Sequence, residues 1–516
     1  MTNLPPKLIY NPSESKQWAS IENDPQIEFF KSARADHSND PFRPLFHLSP
    51  PNHVMNDPNG LCQWNGLFHI FYQYRPNSPD DAVHWGHAMS SDCVFWQDMP
   101  IALYPDQEKD CYSGQTLVER DRVIAIYHGT EKGNSIATAT DPLLLNWNKH
   151  PNNPVIPIVS TDPSGSPYRV FDPCIWKENG SYYSLSGTFK NGERSLDCMA
   201  VDHLFKSENL DEWDYLGPLI ESGFFTEPGE DGAVPNFLPI SENKHLLLFF
   251  SHKRGSQYII GEYDRTSHKF NPDSHGRMTF GPLLLGRLHA PSATIDESGR
   301  LIAIFNVKEG IKYRGWSDIM SLPRQLSLNE DNSLKITPIK ELEHLRTEHS
   351  TYPEADLTSN EEVILNGMGG KSIEIFAEID TGTAAECGLD VFRSNDGKEK
   401  TRISFIKTKT RFNQWDTIQI DISNSSLHKD KISSPPESAP LNLDKSESLK
   451  LRIYIDRSIV EVFANDRQCL TIRTYPTLES SKNIAFFSNN GSSKLISFEK
   501  WNLQSIWPEL NSQEGK

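Results

Sequence analysis

Short blocks of apolar and aromatic residues, each ended by Gly, Asn, Asp or Pro, run through most of the chain. LFHIFYQY (67–74), RVIAIYHG (122–129), SYYSLSG (181–187), HLLLFFSH (245–252) and RLIAIFNV (300–307) are the clearest. Their length, bounding residues and β-branched and aromatic content predict strands. No long stretch carries helical periodicity; SIEIFAEI (372–379) reads equally well as a strand. The chain is therefore expected to be all-β.

A loose repeat lies over this pattern. SSDCVFW (90–96), TDPLLLNW (140–147) and SENLDEW (207–213) each place Asp or Asn ahead of Trp96, Trp147 or Trp213 and then leave through a short apolar or Pro-containing segment. A spacing of roughly 50–65 residues suits four-stranded propeller blades. About five such units fit between Phe46 and Leu345; the alternative is a plain β-sandwich with chance Trp placement. After 346 the repeat fades into the polar stretch TEHSTYPEADLTSNEE (347–362), read as a linker or connecting strand. From about 372 to 503 the alternation suits a β-sandwich. HKDKISSPPESAPLNLDKSES (428–448) reads as a long exposed loop. The first 40 residues are polar and irregular, a wrapping or mobile extension. The expected domains are 1–45, an N-terminal extension; 46–346, a five-bladed β-propeller; and 347–516, a linker and C-terminal β-sandwich.

Composition narrows the function. At 516 residues the chain exceeds one typical domain, and its formal net charge of -18 disfavours nucleic acid, which needs clustered Lys and Arg. No apolar run approaches the ~18 residues of a membrane span. The start, MTNLPPKLIYNPSESK, lacks a basic n-region and apolar h-region, so a cytoplasmic protein is expected. The seven cysteines show no CxxC spacing, and the histidines near the motifs (His53, His84, His87, His289) show no HExxH pattern. No metal or cofactor is expected, and those histidines read as structural or hydrogen-bonding groups.

The densest candidate chemistry is Met55-Asn56-Asp57-Pro58-Asn59-Gly60, followed by FYQYRP (71–76) and HWGHAMSSD (84–92). By itself NDPNG is turn chemistry opening a hairpin. The joint pattern resembles glycoside hydrolase family 32. The resemblance continues through Ser113-Gly114, Asp172-Pro173, HAPSATIDESGRLIAIF (289–305) and LRIYIDRSIVEVFANDRQCLTIRTYP (451–476), covering nearly everything after Phe46. It implies a five-bladed propeller with a C-terminal sandwich. It also implies a retaining hydrolase of β-fructofuranosides with Asp57 as nucleophile and Asp172 steadying sugar hydroxyls and the transition state. Asn56, Gln73, Trp85 and Ser113 would contact the substrate, a small carbohydrate. For Trp85 blade packing is an equal alternative, and for Phe71 it is the better one.

Two departures stand out. The family's Arg-Asp-Pro is Phe171-Asp172-Pro173 here, leaving Arg169 to replace the guanidinium if the strand is bulged. The family's acid, in Glu-Cys-Pro-Asp, aligns with Ala233 in AVPNFLPI. Just upstream, FFTEPGEDG offers Glu230 as the acid, then Glu227, then Asp231. A retaining enzyme needs two carboxyl groups about 5–5.5 Å apart, one attacking and one donating a proton. A fructosyltransferase is the near alternative; a non-catalytic fructan-binding protein is the alternative that the two departures motivate.

Overall fold

The computed structural model describes residues 4–165, 167–190, 203–220, 232–282, 284–429 and 434–507. Five mainly antiparallel sheets occupy the first two thirds, each built around four strands that follow one another in chain order. Blade I comprises His53–Trp64, Leu67–Arg75, His84–Ser90 and Gln97–Leu103. Blade II comprises Cys111–Val118, Val123–Gly129, Gly133–Ala139 and Asn148–Lys149. Blade III comprises Pro167–Glu178, Ser181–Lys190, His203–Ser207 and Asp214–Pro218. Blade IV comprises Ala233–Pro239, His245–Ser251, Gly255–Asp264 and Lys269–Arg277. Blade V comprises Leu288–Ile295, Leu301–Val307, Arg324–Leu328 and Leu334–Pro338. The first strand of each blade touches the first strands of the two neighbouring blades, so five strands close a ring around one axis. This is the expected five-bladed propeller, with a C-terminal β-sandwich after it.

The tryptophan repeat has a structural basis. In blades I, II and III it is the link between third and fourth strands. Asp92 accepts from Val94 N (3.0 Å) and Phe95 N (2.9 Å), Asp141 from Leu145 N (2.8 Å) and Asn146 N (2.9 Å), and Asn209 from Asp211 N (2.9 Å) and Glu212 N (3.1 Å). The residue three before each Trp is left-handed: Cys93, Leu144 and Leu210 have φ of 63°, 53° and 72°. Trp147 and Trp213 donate their indole N–H to the carbonyls of Leu144 (2.9 Å) and Leu210 (3.1 Å). The side-chain acceptors stabilise turns that the backbone alone disfavours.

The N-terminal extension departs from expectation. It forms two helices, α1 (Glu14–Ile21) and α2 (Pro25–Asp36), docked on the propeller. Asp24 caps α2 through Gln26 N and Ile27 N, with Pro25 at the first turn, a start signal visible in the sequence. Arg34 is buried; it pairs with Asp98 of blade I and lies 3.5 Å over the Trp507 ring. Gln17 of α1 donates to Asp141 (2.7 Å) and accepts from Leu143 N (3.1 Å) in the blade II turn. Ile21, Ile27 and Phe30 join the propeller core beside these polar contacts, Phe30 edge-on to Tyr74. With so few apolar positions on two short helices, periodicity gave no signal.

The sandwich packs two sheets over one apolar core that includes Ile375, Leu389, Phe405, Ile453, Val462 and Phe486. The 347–362 stretch supplies its edge: Arg346–Tyr352 and Ala355–Leu357 pair with Ser493–Leu503. The 428–448 segment is not all loop. Within it Glu437–Pro440 pairs with Thr417–Asp421. Buried Glu437 accepts from Phe280 N (2.6 Å) and Gly281 N (3.0 Å) and pairs with Arg287, tying sandwich to propeller.

Buried charges make a second joint. Asp456, on the strand Leu449–Asp456, accepts from the amides of Leu45, Phe46 and His47 at 2.7–3.0 Å. The His47 ring lies between Asp456 (2.9 Å) and Glu461 (3.3 Å). Burial alone would lower its pKa, but the two carboxylates outweigh burial and raise it. A raised histidine pKa adds stability that is complete below the unfolded value of about 6.5 and is lost as pH climbs through the folded value. The free energy of unfolding is therefore expected to fall on the alkaline side of that range. A His47→Asn variant should lack that decline when denaturation is followed across pH.

Candidate active site

All five inner strands share one irregularity. Each carries one extra residue relative to its partner strand, at the same level of the ring: between Met55 and Pro58, Cys111 and Gly114, Val170 and Pro173, Ala233 and Asn236, and Leu288 and Pro291. A bulge kinks the strand and re-aims its side chains. Here it presents Asn56-Asp57, Tyr112-Ser113, Phe171-Asp172, Val234-Pro235 and His289-Ala290 at one end of the axis. Most of these residues line a cavity of about 590 Å³. NDPNG is thus part of a doubly bulged strand, not the hairpin turn its composition suggests. Its glycine is needed: Gly60 has φ 52°, and a Cβ there would stand 2.6 Å from Thr116 of blade II.

Asp57 is largely buried in this mouth. Its Oδ2 accepts from Ser113 Oγ (2.7 Å) and Gln73 Nε2 (3.2 Å). Its Oδ1 has no hydrogen-bond partner among the described residues; His289 Nδ1 stands 3.9 Å away. One oxygen is held, and the other is buried without a hydrogen-bond partner and so is left free to bond to a substrate carbon. Burial raises its pKa, opposed by Lys308, by the Ser113 hydrogen bond and by His252. Gln73 is fixed in turn, since its Oε1 accepts from Asn56 Nδ2 (3.1 Å).

Asp172 lines the same cavity from blade III. Between the two carboxylates lies Tyr112, whose phenol pKa is pushed up by burial first and then by Asp110, Asp172 and Asp57, with Arg75 opposing. Arg169 also lines the cavity, with its guanidinium 5.5 Å from the Phe171 ring centroid. The strand is bulged just after Val170, and Arg169 and Phe171, on either side of that residue, both face the cavity. The Arg169 Nε has no hydrogen-bond partner among the described residues.

Two expected sugar contacts sit elsewhere. Trp85 is fully buried, donates its indole N–H to Tyr112 O (2.9 Å) and stacks on Phe71 at 5.8 Å. It belongs to the packing between blades I and II, because it lies on a third strand, two positions outward from the ring. Ser113 is fully buried behind Asp57, where it orients the carboxylate. Asn56 and Gln73 line the cavity as expected. The methyl of Ala233 lines it too, one residue ahead of the blade IV bulge. Glu227, Glu230 and Asp231 lie outside the described residues.

His289, read from sequence as structural, is part of the mouth. Its ring packs 3.6 Å from that of Phe250, and burial, Lys308 and His252 hold its pKa well below the usual value. That direction favours the uncharged imidazole beside Asp57. The sequence carried a usable signal in the recurring proline of NDP, FDP, AVP and HAP. Proline is excluded from regular ladders and gathers at bulges.

Comparison with known proteins agrees with this geometry. Residues 47–338 match the glycosyl hydrolases family 32 N-terminal domain, and residues 341–502 match the glycosyl hydrolases family 32 C terminal. A levanase from Bacillus subtilis is 29% identical, covering 94% of this chain and 75% of its own length. A sucrose-6-phosphate hydrolase from Zymomonas mobilis is 27% identical, covering 89% and 92%. The crystal structure of fructan 1-exohydrolase IIa from Cichorium intybus superposes with a TM-score of 0.79 at 25% identity, covering 90% of this chain and 98% of that one. From residue 47 to residue 502, nearly its whole length, the chain belongs to glycosyl hydrolase family 32.

Proposed function

We propose that this protein is a retaining β-fructofuranosidase that releases fructose from sucrose, fructooligosaccharides or fructans. The observation that carries the reading is the half-held carboxylate of Asp57, with one oxygen left without a hydrogen-bond partner, in a cavity with Asp172. Family membership supports it, as do the fructoside-cleaving activities named for the relatives. Asp57 attacks C2 of the fructosyl unit while an acid gives its proton to the departing oxygen. Water, deprotonated by that same acid group, then attacks C2 and frees Asp57. Asp172 holds ring hydroxyls and offsets positive charge in the transition state. Arg169 and Gln73 orient the sugar.

The proton donor is proposed to be Glu230, three residues before Ala233, with Glu227 and Asp231 as alternates. Glu230→Gln is expected to lower kcat on sucrose by about 10²–10⁴-fold. The loss should be much smaller on fructosyl fluoride, whose leaving group needs no proton. Glu227→Gln and Asp231→Asn should stay near wild type; a collapse in either one instead would reassign the acid.

Ala233 favours one other reading, a fructan-binding protein without turnover. A panel of sucrose, inulin and levan separates the two: released fructose supports hydrolysis, while calorimetric binding of fructan without release supports the silent form. Lengthening products at high sucrose would mark transfer to sugar in place of water.

A further inference from the structure

The segment 308–318 contributes no side chain to the wall of the catalytic cavity, yet it touches the strand that carries Asp57 at two points. At one end Lys308 Nζ donates to Asn56 Oδ1. At the other, Trp316–Ser317 pairs in parallel with His53 and Val54. The segment is braced internally, with Lys308 Nζ 3.1 Å from Asp318 Oδ2 and Glu309 N donating to Asp318 Oδ1 at 2.6 Å. Its outer side is gripped by the sandwich. Tyr475 accepts from Gly310 N (2.8 Å) and donates to Glu309, and Arg473 stands 3.5 Å from Glu309. The N-terminal extension adds Asp40, which accepts from Arg314 (2.7 Å) and Trp316 Nε1 (2.8 Å).

We propose that Lys308 is a positioning residue for Asp57, and that the sandwich, through Arg473 and Tyr475, sets where its ammonium sits. The inference rests on the reading of Asp57 as nucleophile. Lys308 acts in two ways. Its hydrogen bond fixes Asn56, which orients Gln73, which donates to Asp57. Its charge also favours the ionised carboxylate against the penalty of burial. The other charged or titratable groups of that cavity are His252 beside blade IV, His289 of blade V, Tyr112, His128 and Glu131 of blade II, Arg169 and Asp172 of blade III and Arg75 of blade I, with Asp318 beside Lys308.

The test is the titration of Asp57 itself, read as the infrared carboxylate band lost in Asp57→Asn, in full-length protein with and without changes at 308. Lys308→Met is expected to move the midpoint upward by about half a pH unit or more. Lys308→Arg should restore most of it, and Tyr475→Phe should give a smaller shift in the same direction. In turnover, Lys308→Met should lower kcat/KM about tenfold or more, with the acid limb displaced the same way. An unmoved midpoint in Lys308→Met overturns the inference, even if its Tm falls. A moved midpoint in a protein that releases no fructose from any fructoside leaves this inference standing and overturns the catalytic reading instead.

Discussion

Asp57→Asn is expected to cut fructose release from sucrose by roughly 10⁴-fold or more, since a covalent step has no substitute for its nucleophile. The loss should fall on kcat, with substrate binding retained, because Gln73, Arg169 and Asp172 still line the cavity. The fold should not suffer. Burial raises the Asp57 pKa above its unfolded value, so the ionised group costs stability once the pH passes the unfolded pKa of about 4. Asparagine removes that charge while keeping an acceptor for Ser113. The variant is expected to be at least as stable as wild type at neutral pH by denaturant midpoint. A variant that is inactive and also destabilised would point to a structural role for Asp57 instead.

Glu461→Ala should have the largest effect on stability, about 3–5 kcal/mol. Glu461 is fully buried where sandwich meets propeller. It accepts from Leu322 N (2.8 Å), Arg324 (2.7 Å) and Thr471 (3.2 Å), with His47 at 3.3 Å. Arg324 is also fully buried, among the rings of Phe305 and Phe463. Without Glu461 its charge has no nearby compensation, and desolvation is no longer offset. Glu461→Leu combined with Arg324→Leu should recover much of the loss, since two apolar groups leave no orphaned charge. Urea midpoints of both single variants and the double variant decide it: losses that simply add would show that the pair does not act as a unit.

The strands were legible because each is a short apolar run between turn residues, and the tryptophan repeat was legible because one turn chemistry recurs in three blades. The helices were not, since they are short and dock through only a few apolar residues, Ile21, Ile27 and Phe30, set among polar contacts such as those of Gln17 and Arg34. Asp24-Pro25 is a helix start signal in the sequence, but the reading of the first 40 residues rested on their polar composition. In the site, Asp57 and Asp172 stood out because the motifs that carry them resemble those of glycoside hydrolase family 32. Trp85 misled because a tryptophan near a motif reads alike whether it faces a sugar or a neighbouring blade; only the strand order separates the two. His289 was hidden for the opposite reason, as one histidine among several, distinguished only by its place beside the Ala290-Pro291 kink.

The common kink in the five inner strands separates what this enzyme does from what holds it up. Residues at those paired places answer to the cavity, and their neighbours answer to the ladder. Phe171 lies within such a pair and Ala233 immediately ahead of one. A lineage can exchange side chains there and alter the sugar it accepts without re-registering a single strand.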